Sequence, residues 1–303
     1  MSNNYYNEIK NELINNEVYK RVKDYSKNKN ELSTYYNVGK LLIEAQGGED
    51  KAKYGNALIK EYSEKLTNEI GRGYTFSALS RMRQFYLLSE KIATLSQHLT
   101  WSHYCELLVF DNVDEINYYI KQTEIYNLSV RELREKIKSK EYQRLDDNTK
   151  LKLINKEETV VSDFIKNPIV IRNKYNIDKE SITEKILQRL ILEDIPSFLK
   201  ELGEGFTFVK NEYKIKIGNT YNYIDILLFN YIYNCFVVIE LKVTELKKEH
   251  IGQIQIYMNY VDKNIKTINQ DKTIGVIICK KDNGYYIEYY SDNRIFSKNY
   301  ILS

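Results

Sequence analysis

Two apolar segments in the second half of the chain limit its fold more than any other feature. The segment TYNYIDILLFN is followed, after a short turn-like stretch, by NCFVVIELKV. Such a pair predicts an antiparallel β-hairpin. If the turn is symmetric about Ile232 and Tyr233, Asp225 on the first strand lies opposite Glu240 on the second. The chain must therefore contain a sheet, with two acids inside otherwise apolar strands.

The alternation of side chains along the second strand predicts a charged cluster. Glu240 and Lys242 point to one face, whereas Val237 and Ile239 point to the other. Facing carboxylates repel, so each must shift its pKa or share a cation. Mg²⁺ is commonly held by one or two carboxylates together with water and phosphate oxygens, and Lys242 could stabilise charge on a phosphate. The alternative interpretation is a solvated face or a surface ion pair.

The hydrophobic pattern changes along the chain and indicates an α+β protein of more than one domain. Residues 1–145 have helical spacing and predict an all-helical domain. Residues 146–160 belong to a polar stretch without apolar period and are predicted to be a linker. Residues 161–303 predict an α/β domain with one long helix at 182–202 and a second at 247–262. Its predicted strands are 206–217, 221–229, 235–243, 273–279 and 285–290.

Composition excludes several classes of protein. The formal net charge is +3, from 45 basic and 42 acidic residues, and gives no global signal for nucleic acid or a membrane. Three cysteines without CxxC spacing argue against a disulfide framework or a structural zinc site. The cysteine pattern predicts a reducing, cytoplasmic location. No segment has the length of a membrane span, so we expect no membrane association. The 28 tyrosines are spread over the whole chain, and we do not interpret them as surfaces for base stacking.

A helix-turn-helix is predicted within the helical half. Residues 55–70 and 75–89 have helical spacing, a Gly-Arg-Gly turn separates them, and Thr75 is a suitable N-cap. The second helix is expected to bury Phe76, Leu79, Met82 and Tyr86. It would present to DNA the side chains of Ser77, Ser80, Arg81, Arg83 and Gln84. An ordinary helical hairpin with a solvated polar face is the alternative.

Several separated motifs resemble the YhcG-like family, whose C-terminal domain belongs to the PD-(D/E)xK (restriction-endonuclease-like) nuclease superfamily. They are YIDILLFN, VVIELKV and HIGQIQIYMNYVD in the second half of the chain. The first half contributes YGNALIKEYSEKLTNEIGRGYTFSALSRMRQFY, WSHYCELL and NLSVRELREKI, and FIKNPIV lies at the junction. The resemblance covers nearly the whole chain and implies a winged-helix-like N-terminal domain. One departure is Thr244, where the family commonly has glycine.

The resemblance also assigns site residues. The first acidic residue of the superfamily corresponds to Glu184 on the opening helix, and the two strand motifs correspond to Asp225 and to Glu240-Leu241-Lys242. Gln253 and Tyr257, four residues apart, share a face of the following helix. The expected catalytic set is Glu184, Asp225, Glu240, Lys242, Gln253 and Tyr257. The expected metal ligands are Asp225, Glu240 and Leu241.

The function that the resemblance implies is hydrolysis of DNA phosphodiester bonds by a Mg²⁺- or Mn²⁺-dependent endonuclease or exonuclease. RNA stays open as a substrate, and so does a homo-oligomer or a protein partner. Two alternatives stay open as well: a catalytically silent regulator that binds DNA or a partner through a nuclease-like scaffold, and an adaptor whose helices bind another subunit.

Overall fold

The helical periodicity of the first half and the strand pattern of the second correspond to two separate units, Met1–Tyr142 and Gln143–Ser303. The computed structural model describes residues 2–21, 27–48, 56–92, 95–96, 98–281, 287 and 292–303. In these ranges the first unit contains helices and no strand. Its helices are α1 Ser2–Arg21, α2 Lys27–Ala45, α3 Asn56–Glu69, α4 Phe76–Ser89, α5 Trp101–Leu107, α6 Val113–Tyr126 and α7 Val130–Lys138.

The helix pair α3 and α4 forms where the sequence predicts it. The turn between them contains Gly71 and Gly73, whose φ angles of 123° and 132° lie in the region that favours glycine. The predicted N-cap is confirmed, because the Thr75 side chain accepts a hydrogen bond of 3.3 Å from the Ala78 amide. The pair has the order of a helix-turn-helix, and its use as a DNA reader stays a prediction.

Two core predictions for α4 need correction, because Tyr86 is only partly buried and Phe76 is exposed. Phe76 was expected inside but is 40% exposed, whereas Phe85 is fully buried. The Phe85 ring lies 5.4 Å from that of Trp101 and 5.0 Å from that of Tyr104, measured between centroids. These aromatic partners on α5 cover the second half of α4, so the buried stripe begins one turn later than expected. It consists of Leu79, Met82, Phe85 and Leu88.

A close approach of α2 to α4 depends on Gly39. A Cβ at this position would collide with the backbone oxygen of Met82 and lie 2.8 Å from the Cβ of Tyr86. The obstructing atoms belong to a helix backbone and cannot rotate away. The two helices can therefore pack at this distance only because residue 39 has no side chain.

Gly39→Ala is expected to lower the free energy of unfolding of the helical unit by about 1–3 kcal/mol, the usual cost of overpacking. Thermal unfolding followed by circular dichroism measures it. Gly252→Ala is the matched control, because nothing lies within 4 Å of a Cβ at that helical glycine. An unchanged midpoint for Gly39→Ala would show that the helices can separate without cost.

The second unit is a mixed sheet with helices on both faces. Its helices are α8 Asp147–Asn155, α9 Glu184–Glu193, α10 Ile195–Leu202 and α11 Lys248–Asn264. Its strands are β1 Ile169–Ile171, β2 Phe206–Ile217, β3 Thr220–Asn230, β4 Cys235–Leu241, β5 Asp271–Cys279 and β6 Ile295–Leu302. The strand order is β1-β6-β5-β4-β3-β2. Strands β2, β3 and β4 are antiparallel, and β4, β5, β6 and β1 are parallel.

Two apolar layers cover the sheet. One contains Leu187 and Leu190 of α9 and Phe198 of α10, packed against strand residues such as Ile239. The other contains the buried side chains of α11, packed against residues such as Val238. Alternate residues of β4 thus face different helices, as the period of a strand requires.

Three sequence predictions for this unit need correction. The stretch expected to be a linker contains α8, whose Lys152 forms an ion pair of 3.0 Å with Asp163. The single long helix at 182–202 is two helices, because Asp194 has φ −140° and a new helix begins beside Pro196. Strands β1 and β6 were not predicted. The predicted strand 285–290 lies, apart from residue 287, outside the described residues.

None of the helices in the described ranges is both long and apolar enough to cross a membrane.

Candidate active site

The β3–β4 hairpin forms in the predicted register. Ile226 pairs with Ile239, and Asn230 pairs with Cys235, so the symmetry of the turn is confirmed. The buried Asn230 side chain shapes the turn, since its oxygen accepts hydrogen bonds from the amides of Ile232 (3.0 Å) and Tyr233 (3.1 Å). Ile226 and Ile239 are the last pair away from the turn, and the next position on each strand is Asp225 and Glu240 respectively.

Asp225 ends the ladder between the two strands. Its Oδ2 accepts a hydrogen bond of 2.8 Å from the Leu241 amide, so a side chain replaces the next backbone bond. Burial raises the pKa of Asp225, and this hydrogen bond and the Lys242 charge oppose the shift. The carboxylate is thus fixed against the segment that carries Glu240 and Lys242.

Glu240 is 2% exposed and only partly satisfied. Its Oε1 lies 2.9 Å from Lys242 Nζ, whereas its Oε2 is buried without a hydrogen-bond partner. Burial, followed by the Asp225 charge, raises the pKa of Glu240 to about 7, and Lys242 limits the rise. A buried carboxylate oxygen without a partner costs free energy unless a cation or a donor reaches it.

Lys242 joins the two carboxylates that come from different elements. Its Nζ lies 2.9 Å from Glu240 and 3.4 Å from Glu184 Oε2. Burial acts to lower the pKa of Lys242, but the surrounding carboxylates outweigh it and the pKa is raised. The amine therefore stays charged, as the predicted role beside a phosphate requires.

The opening helix α9 brings Glu184 to the site. Thr183 caps the helix, with its side chain accepting a hydrogen bond of 3.3 Å from the Ile186 amide. One turn after Glu184, the Gln188 side chain donates a hydrogen bond of 2.9 Å to the Asp225 carbonyl. Gln188 was not predicted, although it interrupts an apolar helix face four residues after Glu184, a spacing that could have indicated it.

Helix α11 carries the remaining predicted residues of the candidate site. Gln253 Nε2 donates a hydrogen bond of 2.9 Å to Tyr257 Oη, so the predicted pair is in contact. Burial raises the pKa of Tyr257, and the charge of Glu240 adds to the shift. Burial lowers the pKa of His250 on the same helix, the Lys242 charge adds to the shift and the Glu184 charge opposes it. This neighbour was not predicted from the sequence.

The residues present fit a hard divalent cation. The orphaned Glu240 oxygen, together with Asp225, is a donor set that Mg²⁺ accepts. Among the described residues no group of three His, Cys, Asp or Glu side chains could hold a metal ion. A cation would therefore take the remaining ligands from the backbone carbonyl of Leu241, from water and from substrate oxygens.

Without a cation, the protein is expected to lose stability as the pH rises from about 4.5 to about 7. The folded state holds the Glu240 proton up to about pH 7, whereas the unfolded chain releases it near the ordinary value of 4.5. This stabilisation is fully present below pH 4.5 and is lost as the pH rises through about 7, an effect of about 3 kcal/mol. Thermal unfolding in chelator across this range measures it.

Glu240→Gln serves as the comparison for that measurement. The variant should show a flatter dependence on pH, and Mg²⁺ at pH 8 should raise the midpoint of the wild type more than that of the variant. An identical pH dependence for both proteins would mean that Glu240 titrates normally.

Comparison with known proteins gives a family for both halves of the chain. Residues 162–302 match the YhcG PDDEXK nuclease domain, and residues 11–144 match the DUF1016 N-terminal domain. The chain belongs to the YhcG-like family. A YhcG-like relative, the Escherichia coli (strain K12) protein named "Putative nuclease YhcG", is 27% identical over 286 residues, covering 82% of this chain and 76% of that protein.

Two solved structures are more distant from this YhcG-like chain. One is a repair endonuclease from Pyrococcus abyssi, with 16% identity over 39% of this chain and 47% of that chain, at a TM-score of 0.29. The other is the EndoMS-dsDNA2 complex, with 19% identity over 41% of this chain and 48% of that chain, at a TM-score of 0.30. The matches span just under half of either structure, and scores this low carry no argument about the site.

Proposed function

We propose that the C-terminal unit hydrolyses phosphodiester bonds of DNA with the help of Mg²⁺ or Mn²⁺. The observation that carries the proposal is the orphaned, buried oxygen of Glu240 beside Asp225 and Lys242. Two carboxylates and an amine in a largely buried position are costly for folding. Their convergence is best explained by a ligand with both positive and negative groups. A metal ion bound to a phosphate has both.

Each side chain has a defined task in this proposal. Asp225, Glu240 and the Leu241 carbonyl would hold the cation, which when bound supplies Lewis-acid activation of the phosphate and of water. Lys242 donates to a non-bridging phosphate oxygen or to the attacking water. Glu184 keeps the Lys242 amine oriented through their 3.4 Å contact. Gln188 holds the backbone of Asp225 through its hydrogen bond to the Asp225 carbonyl. Gln253 and Tyr257, which are hydrogen-bonded to each other on α11, orient the substrate or a water.

Cleavage of a panel of nucleic acids tests the proposal. Linear, supercoiled and branched DNA and RNA are incubated with Mg²⁺ or Mn²⁺ and with wild type or Lys242→Met. We expect the variant to lose at least about 10²-fold in rate, the usual effect of removing one group that stabilises developing charge. Lys272→Met makes the same change at an exposed position on β5 and should retain activity.

The alternative function gives a different result in the same assay. A silent scaffold that binds DNA or a partner would leave every substrate intact with either metal, and wild type and Lys242→Met would be indistinguishable. That outcome would overturn the nuclease proposal.

We further propose that the helical unit binds DNA through α4. Ser77, Arg81 and Gln84 are exposed, which is consistent with reading a groove, and Ser80 is partly exposed. Arg83 is half-buried and donates to Gln46 at 3.4 Å, so its part in the predicted set is the weakest. Binding of the full chain to duplex DNA at several salt concentrations tests this proposal. Arg81→Ala should reduce the slope against log salt by about 0.9 if Arg81 contacts one phosphate.

A further inference from the structure

The distal half of the β2–β3 hairpin has an unusual composition for an exposed edge. Residues 213–223 contain two lysines and no carboxylate. Lys216 pairs across the strands with Tyr221, and Lys214 pairs with Tyr223. Tyr221 and Tyr223 are 54% and 51% exposed, and both lysines are exposed too. We refer to these four side chains as the lysine–tyrosine face.

Both lysines of this face lie over the Tyr221 ring. Lys214 Nζ lies 3.9 Å from the centroid of the Tyr221 ring, and Lys216 Nζ lies 5.9 Å from it. These distances are typical of cation–π contacts. On the opposite side of the same strands, Ile215 and Ile224 are buried in the apolar layer of α11. The strands that carry the lysine–tyrosine face are therefore anchored to the hydrophobic core on their other side.

The face lies next to the candidate active site. Tyr223 precedes Asp225 by two residues, a separation of about 7 Å along a strand. Among the described strands β2 is the edge of the sheet, so a long ligand can approach without displacing any of the others.

We propose that the lysine–tyrosine face binds an unpaired segment of DNA and leads it to Asp225. This inference rests on the proposed nuclease function. The ammonium groups match the charge of phosphates, and the exposed rings offer surfaces for stacking. Bases in a duplex cover one another, so only unpaired bases can stack on a tyrosine. The substrate class is therefore DNA with a single-stranded end, gap or branch.

A different role for the lysines must be separated from this one. Charged side chains on an edge strand prevent it from pairing with a second molecule. That role needs the lysines but gives no reason for the two tyrosines beside them. Under it, Lys214→Ala/Lys216→Ala would self-associate while retaining full affinity for an oligonucleotide, and this result would overturn the proposal.

The test is binding, measured with the full chain carrying Asp225→Asn and without divalent metal. A fluorescent single-stranded oligonucleotide and a blunt duplex of the same sequence serve as probes. Tyr221→Leu/Tyr223→Leu should weaken binding of the single strand at least about tenfold and leave the duplex nearly unchanged. Lys214→Ala/Lys216→Ala should reduce the salt slope by about 1.4, since each phosphate contact on a single strand contributes about 0.7.

Matched variants complete the design. Tyr221→Phe/Tyr223→Phe retains the rings and should bind as the parent does, whereas equal loss in the Phe and Leu variants would overturn the proposal. Lys263→Ala/Lys272→Ala removes two exposed charges elsewhere and should leave the slope unchanged. No binding of the single strand by the parent would also overturn it. Because binding needs no cleavage, failure of the proposed hydrolysis would appear separately, as an inactive wild type.

Discussion

Asp225→Asn is expected to lower the rate of DNA hydrolysis by roughly 10³-fold or more, because the change removes one of the two carboxylates that would hold the divalent cation, and Lewis-acid stabilisation amounts to several kcal/mol. The substitution retains shape, and the amide oxygen of Asn can still accept the Leu241 hydrogen bond of 2.8 Å. The negative charge and one acceptor oxygen are lost. Initial rates with a saturating DNA substrate and Mg²⁺ measure the effect.

The same change should not unfold the protein. Asp225 raises the pKa of Glu240, so its neutralisation relieves a repulsion in the metal-free state. We therefore expect an unchanged or higher midpoint of thermal unfolding at pH 7. Asp271→Asn is the matched control, since it alters an exposed aspartate at the start of β5 and should retain activity. Equal rates for Asp225→Asn and wild type would show that hydrolysis occurs elsewhere.

Glu201→Ala is expected to destabilise the second unit by about 3–5 kcal/mol, the usual cost of leaving a buried charge without its partner. Glu201 forms an ion pair with Arg144, and both side chains are 13% exposed. Its Oε2 also accepts a hydrogen bond of 2.8 Å from the Val170 amide. Lys166, which is 5% exposed, lies 3.9 Å from the same carboxylate. Removal of Glu201 would leave both cations buried without this anion.

Chemical denaturation of the full chain measures that loss. Glu245→Ala is the matched control, because Glu245 pairs with Lys281 at 3.4 Å in an exposed position and such pairs contribute at most about 1 kcal/mol. Glu201→Gln should fall between the two, since it can still bond to Val170 but carries no charge. If Glu201→Ala and Glu245→Ala lowered the free energy of unfolding by similar amounts, water would have to reach Glu201 and its cationic partners.

The hairpin was predictable because its determinants are local. A four-residue turn, two apolar runs and the alternation of side chains fix the register of β3 and β4 without reference to the rest of the chain. The same alternation places Glu240 and Lys242 together. Glu184 came only from the family resemblance, because one glutamate at the start of a helix has no distinctive local pattern.

Other elements depend on contacts distant in sequence. Strand β1 has three residues and exists by pairing with residues 300–302. Helix α8 is polar in sequence, and its place is set by the contacts of Thr149 and Lys152 with Asp163. The role of Gln188 depends on its hydrogen bond to the Asp225 carbonyl of β3, which is distant in sequence. Local propensity and hydrophobic periodicity therefore could not predict β1, α8 or the contact of Gln188.

Strand β6 lies between β5 and β1, and the edge of the sheet is completed by chain segments far apart in sequence. The amide of Asn173 donates to the carbonyl of Ser303, and the amide of Ser303 donates to the carbonyl of Ile171. A deletion of residues 295–303 would therefore expose apolar strands on both flanks at once. Such a shortened protein should aggregate through its new edge, although every residue of the proposed catalytic set would still be present.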